Sequence, residues 1–537
     1  QEFTEKVNHY IKKGVKGIIF KHNLSHKDAC YEIATSDIGI CWRKNGWGDN
    51  GQVSTKVKEY EMYKKPCLFF IPKYNQLLHI ILMELKLYNF EMIKFYNEII
   101  YIYKENVQLI PYVLHNAMPY DNGGYAVRSH NVMNTFNNMY SDKQYIGIHK
   151  FRYPYKLFNL KSVEKYVNKI DNVNYITLPF VTGINYNRML LFLTGLFNFK
   201  TYHMASSFSN AEPIISFCKN YNLRSIYEVR GMWQLTGISR ILHYKNQIQE
   251  KYLKKLQQIY PVDKYKKVFN GEINCIKKST NVLFITDELY NYCENNYNSL
   301  KISENFELDI ILGKNQKNIP KIFYNCSNHN NFENISLYKP INIKQINKKN
   351  PFIIGYTGSI VYYEGIYQAV IAIEKLIKET NLNIEVHILG NMKPVCLEEE
   401  GLNLSYYRSI GEKSFVKLIN KVSHNEVVNI QKNFHLYMIP RLDLPVTNIV
   451  SPLKPFEPMS LRIPLIMSDC LCLNAISKNG ENCVVFKRDD FNDFKEKVLQ
   501  IIKNGYNEQL LQNAYNFVKN ERSWKNMIKH VGLYDLV

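Results

Sequence analysis

Four residue types recur at one spacing in two separate stretches of the chain. In the stretch Phe434 to Met467, an apolar strand ends at Arg441, Lys454 and Glu457 open a helix, and Pro464 leads into a second apolar strand. In the stretch Ser36 to Phe70, Arg43, Lys56, Glu59 and Pro66 stand in the same relation, with no gap. An arginine at a strand end and a lysine at a helix start supply cations for a phosphate, and the helix N–H groups and dipole add to that site. A carboxylate one turn further on accepts hydrogen bonds from sugar hydroxyls. The chemistry expected is a phosphate and a sugar held side by side, as in a nucleotide-sugar pocket. The competing reading of Lys454 and Glu457 is a surface pair at (i, i+3). Its recurrence with the arginine and proline favours the pocket.

Two glycine turns add to this. Asn122-Gly123-Gly124-Tyr125 follows the apolar run 108–114, and Tyr356-Thr357-Gly358-Ser359 closes the run 351–357. Glycine after a strand lets backbone approach a phosphate with no Cβ in the way, although such turns also serve structure alone. Glu228 and Arg230 end the strand pattern of YEVRGMW, where ligands of open α/β sheets bind; an internal ion pair holding the loop fits them as well. His130, on the helix after the first glycine turn, faces either the cleft or a packing neighbour. There is no Asp-x-Asp anywhere in the chain, so no metal is expected at a diphosphate, and its charge falls to Arg441, Lys454 and helix starts. No Walker loop and no Ser/His/Asp order stand out.

The elements that must carry these residues alternate between strand and helix, which implies parallel sheets with crossover helices. At 537 residues the chain is too long for one core, and roughly three or four domains are expected. Strands are expected at 174–180, 200–205, 224–229 and 281–286, then at 351–359, 384–390, 404–410, 434–440 and 464–469. Helices are expected at 126–139, 363–378, 412–420 and 454–461, with one closing helix over 510–530. The net charge of +20 points to an anionic partner, a nucleotide or an acidic lipid surface, or else to the Lys-, Asn- and Tyr-rich usage of a biased genome. Basic residues are scattered without an Arg-rich arm, zinc-finger spacing or RNA-binding motif, which argues against nucleic acid. The 11 cysteines form no framework, fitting a reducing cytoplasmic setting, and no apolar run approaches the ~20 residues of a membrane span.

The segments GGYAVRSH (123–130), YEVRGMWQLTGISR (227–240), VLFITDEL (282–289), IIGYTGSIVYYEG (353–365), IPRLDLPV (439–446), SPLKPFEPMSLRIPLIMSD (451–469) and KNGENCVVF (478–486) resemble the GT-B glycosyltransferases of the retaining family 4 type. The resemblance covers about 106–530. It implies an α/β fold of two Rossmann-like domains facing a cleft: an acceptor domain over 106–335, a linker over 336–350, a nucleotide-sugar-binding domain over 351–515 and a closing helix over 516–537. Residues 1–72 resemble the last part of another donor domain, with 73–105 a helical connector. The implied donor is a nucleoside-diphosphate sugar, with no other cofactor, and the implied acceptor is a glycan or lipid-linked hydroxyl at a membrane's inner face. By this analogy Glu457 binds the ribose, and Arg441 and Lys454 the diphosphate. Gly123, Gly124, Gly358 and Ser359 line the donor, and His130, Glu228 and Arg230 the acceptor side. Arg43, Lys56 and Glu59 would be a severed, inert copy. Two departures stand out. Tyr363-Glu364-Gly365 occupies the place of a Lys-Gly, and Ile449 stands where the family's Glu-x7-Glu has its first glutamate. A nucleotide-sugar epimerase and a non-catalytic scaffold are the alternatives.

Overall fold

A computed structural model of the chain describes residues 39–42, 67–70, 90–102, 106–158, 160, 162–180, 186–244, 261–299, 320–327, 343–390, 409–420, 422 and 424–537. The chain divides into two compact units, one of residues 1–103 with 179–196, the other of 104–178 with 197–537.

In the first unit, β1 (Gly39–Trp42) pairs in parallel with β2 (Cys67–Phe70), Gly39 opposite Cys67. Helix α1 (Phe90–Ile99) meets the helix Tyr186–Phe197 through Phe95 and Tyr96 against Phe192, at ring-centroid distances of 6.4 and 6.5 Å.

The second unit holds two sheets. The first has eight strands, β3 (Gln108–Leu114), β4 (Lys143–His149), β5 (Val167–Ile170), β6 (Val173–Ile176), β7 (Thr201–Ala205), β8 (Arg224–Val229), β9 (Asn281–Phe284) and β10 (Lys321–Ile322), in the order β10-β9-β8-β7-β3-β4-β6-β5. Every pairing is parallel except β5 with β6. The second sheet is all parallel, in the order β13-β12-β11-β14-β15-β16. Its strands are β11 (Phe352–Thr357), β12 (Ile384–Leu389), β13 (Val416–Ile419), β14 (Leu436–Ile439), β15 (Leu465–Ser468) and β16 (Val484–Phe486). The strand order reverses between β3 and β7 in one sheet and between β11 and β14 in the other. A crevice opens at the carboxyl ends of strands at such a reversal. The turn after β3 leads to Gly123, and the turn after β11 is Gly358.

Strands buried on both faces need continuous apolar runs, and the runs are there: Ile354, Tyr356, Val386, Ile388, Leu436 and Met438 share one core. The chain's end returns to the first sheet. Trp524, Met527 and Ile528, on the helix Trp524–His530, pack with Tyr112, Val132 and Phe136. The expected single helix over 510–530 is two, Glu508–Asn520 and Trp524–His530, because Ser523 caps a new start by accepting from the Asn526 N–H. The expected strand 404–410 and helix 412–420 are also corrected. Residues 404–408 lie outside the described residues, Ser409–Gly411 is helical, and Val416–Ile419 is the edge strand β13. Lys417 on that edge pairs with Glu385 of β12 at 2.7 Å. A four-residue edge strand with a lysine facing water has the same apolar spacing as one helical turn.

Helices α2 (Gly124–Met139), α3 (Phe208–Asn220), α4 (Trp233–Tyr244) and α5 (Val262–Lys278) cross over the first sheet. Glu272 of α5 accepts from the Phe208 N–H at 2.8 Å and from the hydroxyl of Tyr227 on β8. Burial pushes this carboxyl up to about 7, which favours its protonated form at mildly acidic pH. Because the folded value is raised, the stabilisation is fully present below the ordinary carboxylate value and is lost as pH rises through 7. At pH 6, one unit below the folded value, the site contributes on the order of 1 kcal/mol that pH 9 removes. Thermal melts of wild type and Glu272→Gln at the two pH values should show a slope in the first that is absent in the second. Parallel slopes would refute the assignment.

Candidate active site

The loop that leaves β14 joins the two halves of the second unit. Within it lie helix α6 (Pro445–Ile449) and, after a tight turn, α7 (Phe456–Ser460). Thr286 donates to the Ile449 carbonyl at 2.6 Å, Asn325 to the Ser451 carbonyl at 2.7 Å, and Ser239 accepts from the Val446 N–H at 3.1 Å. Leu453 packs on the core of the first sheet, and the next residue, Lys454, turns into the second sheet's crevice. Both glycine turns meet this segment. A Cβ on Gly124 would touch Leu453 at 3.8 Å, and one on Gly358 would lie 2.5 Å from the Lys454 Cε. Gly358 also has φ +132°, which side-chain-bearing residues rarely adopt. The site is therefore built where both switch points converge on residues 453–454.

Arg441, at the end of β14, is 5 % exposed and donates to the Val450 carbonyl at 2.7 Å and to Glu364 Oε1 at 3.2 Å. Lys454 Nζ donates to the same Oε1 at 2.9 Å. Burial alone would raise the Glu364 carboxyl, but Arg441 and Lys454 outweigh it and hold it at about 2. Glu457 lies on α7 one turn past Lys454 and accepts from Gln431 Nε2 at 2.7 Å. Gln431 also reaches Thr357 Oγ1, which Tyr437 bonds at 2.7 Å. Ser359 offers its carbonyl to the Tyr356 hydroxyl at 3.0 Å.

The remaining expected residues divide. The Gly123 N–H is engaged by Asp121 at 2.9 Å, while Gly124 begins α2. His130 is held between Tyr175 and Asp171, each at 2.8 Å, on the side of α2 that meets β6. Glu228 is 0 % exposed, bound by Arg128 at 2.6 Å, Arg230 at 3.0 Å and the Tyr112 hydroxyl. Arg230 in turn donates to the Tyr125 carbonyl at 3.0 Å and Ser129 Oγ at 2.8 Å, so it fixes the first turn of α2. Burial opposes the Glu228 charge, yet Arg128, Arg230 and His203 hold its carboxyl well below the usual range. Arg43, Lys56 and Glu59 lie outside the described residues.

Several side chains at this end of the first sheet were not singled out from sequence. Trp233, 41 % exposed, stacks on Tyr125 at 6.0 Å and lies 6.1 Å from His115. Lys150 donates to His115 Nδ1 at 3.1 Å. Burial and then Lys150 lower the His115 imidazole to about 4, leaving it neutral near pH 7. Their signal is positional only: each follows the carboxyl end of β3, β4 or β8.

Residues 339–521 match the sequence model of the glycosyl transferases group 1 family. With the paired sheets above, that decides the class. This is a glycosyltransferase of GT-B fold. Solved structures agree on the fold. Sucrose-phosphate synthase from Thermosynechococcus elongatus aligns at TM-score 0.54 and 13% identity, over 80% of this chain and 98% of that one. Anabaena HepE in complex with UDP-glucose aligns at 0.51 and 8%, over 79% and 98%. The α,α-trehalose 6-phosphate synthase from Burkholderia multivorans aligns at 0.50 and 10%, over 80% and 96%. No curated protein matches the sequence. Among the described residues of the glycosyltransferase, no helix is long and apolar enough to cross a membrane.

Proposed function

We propose that the enzyme moves a sugar from a nucleoside-diphosphate sugar to a hydroxyl of a glycan or lipid-linked acceptor, with retention of configuration and without a metal, in surface polysaccharide synthesis. The observation that carries this is the convergence of Arg441 and Lys454 beside the Gly358 turn, against the segment that both halves grip. The diphosphate would lie along these two cations, its ribose against Glu457. The bond from the anomeric carbon to the β-phosphate oxygen breaks as the acceptor oxygen attacks from the same face, and the acceptor proton passes to the departing phosphate. Lys454 and Arg441 stabilise the charge that develops on that leaving group. The Trp233–Tyr125 pair, with neutral His115 and Lys150 beside it, offers a flat apolar surface and polar tips for an acceptor sugar. Peripheral contact with an acidic membrane would bring a lipid-linked acceptor to this face, and the excess of lysine and arginine supports it.

The described strands β1 and β2 fit a second donor-type copy of the motif. In β14 and β15, Tyr437 faces Leu465, and in β1 and β2, Gly39 faces Cys67, the same register at matching motif positions.

Incubation with a panel of nucleotide-sugars and acceptors in chelator should give a product of retained anomeric configuration by NMR. Glu457→Ala should raise the donor KM by about tenfold to a hundredfold, the loss of a charged hydrogen bond. Strict dependence on an added divalent cation, or an inverted product, would overturn the reading. Conversion of the donor with no acceptor present would move it to the epimerase class.

A further inference from the structure

Glu364 has one carboxylate oxygen in use and one idle. Oε1 takes both cations, Arg441 at 3.2 Å and Lys454 at 2.9 Å. Oε2 is buried and has no hydrogen-bond partner among the described residues. A buried unpaired oxygen of this kind is costly, and native structures keep few of them. The placement is also counterproductive for holding an anion, because it puts a negative charge between the two groups that must bind one. The backbone nevertheless fixes it there. Gly365 has φ +68° and sits so close to the Pro440 carbonyl that a Cβ would collide with it, and the Tyr363 carbonyl accepts from the Leu442 N–H at 3.1 Å.

We infer that Glu364 is the recognition residue for the transferred sugar, its Oε2 accepting hydrogen bonds from hydroxyls of the donor's sugar ring. This rests on the donor reading proposed above and names the group that would select the sugar. An ionised carboxylate only accepts hydrogen bonds. Phosphate oxygens are therefore excluded as its partners, and a group bearing O–H or N–H is required. Position favours the sugar over the ribose. Glu457 stands on the Gln431–Thr357 side of Lys454. Glu364 stands beside Arg441, whose other partner is the Val450 carbonyl. Val450 packs toward Gly231 of the first half, where a Cβ would lie 3.3 Å from its Cγ2. With the diphosphate on Lys454 and Arg441, one carboxylate flanks it on the nucleoside side, and the other on the side from which an acceptor arrives.

The test compares binding of UDP, GDP and dTDP with their hexose esters, by calorimetry, on wild-type protein and Glu364→Gln. The variant removes the negative charge beside two cations, so it should bind the free diphosphate as tightly as wild type or more so. It should bind the sugar ester about tenfold to a hundredfold more weakly, the loss of a hydrogen bond to a charged group. Glu364→Asp keeps the charge but withdraws the oxygen, and should hold free diphosphate at wild-type affinity while losing the preference for the ester. If diphosphate and ester shift together in both variants, Glu364 is only a counter-ion or a ribose contact, and the assignment fails while the donor reading stands. A wild-type protein that binds none of the panel fails the donor reading itself. Unchanged melting temperatures show that the variants are folded.

Discussion

Lys454→Met should lower kcat by about a hundredfold to a thousandfold, with a much smaller change in donor KM. The methionine keeps the stem that packs against the Gly358 turn and lies under the Tyr356 ring, where Nζ is 5.5 Å from the centroid. What it removes is the charge that meets the leaving diphosphate. In the resting enzyme that charge is already partly met by Glu364 at 2.9 Å. Ground-state binding therefore gains little from it, and its full effect appears only as negative charge grows on the phosphate during bond cleavage. An interaction realised mainly in the transition state lowers kcat and kcat/KM together when deleted. Lys454→Arg should recover part of the loss, since charge is retained but the single-point geometry against Glu364 is not. Steady-state kinetics with the best donor of the panel decide the matter. A variant whose KM rises while kcat is unchanged would make Lys454 a binding residue and move the catalytic charge to Arg441.

The reach of sequence reasoning follows from where each residue's partners lie. Lys454 and Glu457 are one helical turn apart, and their relation to Arg441 repeats elsewhere in the chain, so local spacing was enough to pick them out. The α/β fold of paired parallel sheets was legible for a similar reason, from apolar runs alternating with helical spacing. Glu364 was visible only as a departure from Lys-Gly. Its meaning depends on Arg441 and Lys454, separated from it by 77 and 90 positions, and no short pattern encodes that meeting. Glu228 and Arg230 read from sequence as polar groups at a strand end, open to either a ligand or an ion pair. Arg128, 100 positions away, enters the same cluster and makes it a buried network. The edge strand Val416–Ile419 was hidden for a different reason: one helical turn and four edge residues leave the same apolar spacing.

That buried network gives the largest expected change in stability. Glu228→Ala should cost about 3–5 kcal/mol, the usual consequence of removing one partner from a buried charge cluster. Arg128 and Arg230 would both stay buried, at 3 % exposure each, with their shared counter-charge gone. Arg128 retains the Phe323 and Tyr324 carbonyls and Asn325, so the segment that follows β10 keeps its ties to α2. Arg230 is left with the Tyr112 hydroxyl, Ser129 and the Tyr125 carbonyl, all acceptors without formal charge. Because the Glu228 carboxyl is held well below its ordinary value, its stabilisation is present above that value and is lost as pH falls toward the folded one. Denaturant unfolding at pH 7 should therefore separate wild type from variant widely, and the gap should narrow as both are taken to acid. Arg230→Met supplies the complementary measurement. It should destabilise through the same cluster and also loosen Tyr125, the residue stacked on Trp233, so that acceptor KM rises while donor binding holds. A Glu228→Ala cost under about 1 kcal/mol would mean that the cluster is not what ties α2 to β8. The first turn of α2, and with it the Gly124 approach to Leu453, would then have to be held by apolar packing alone.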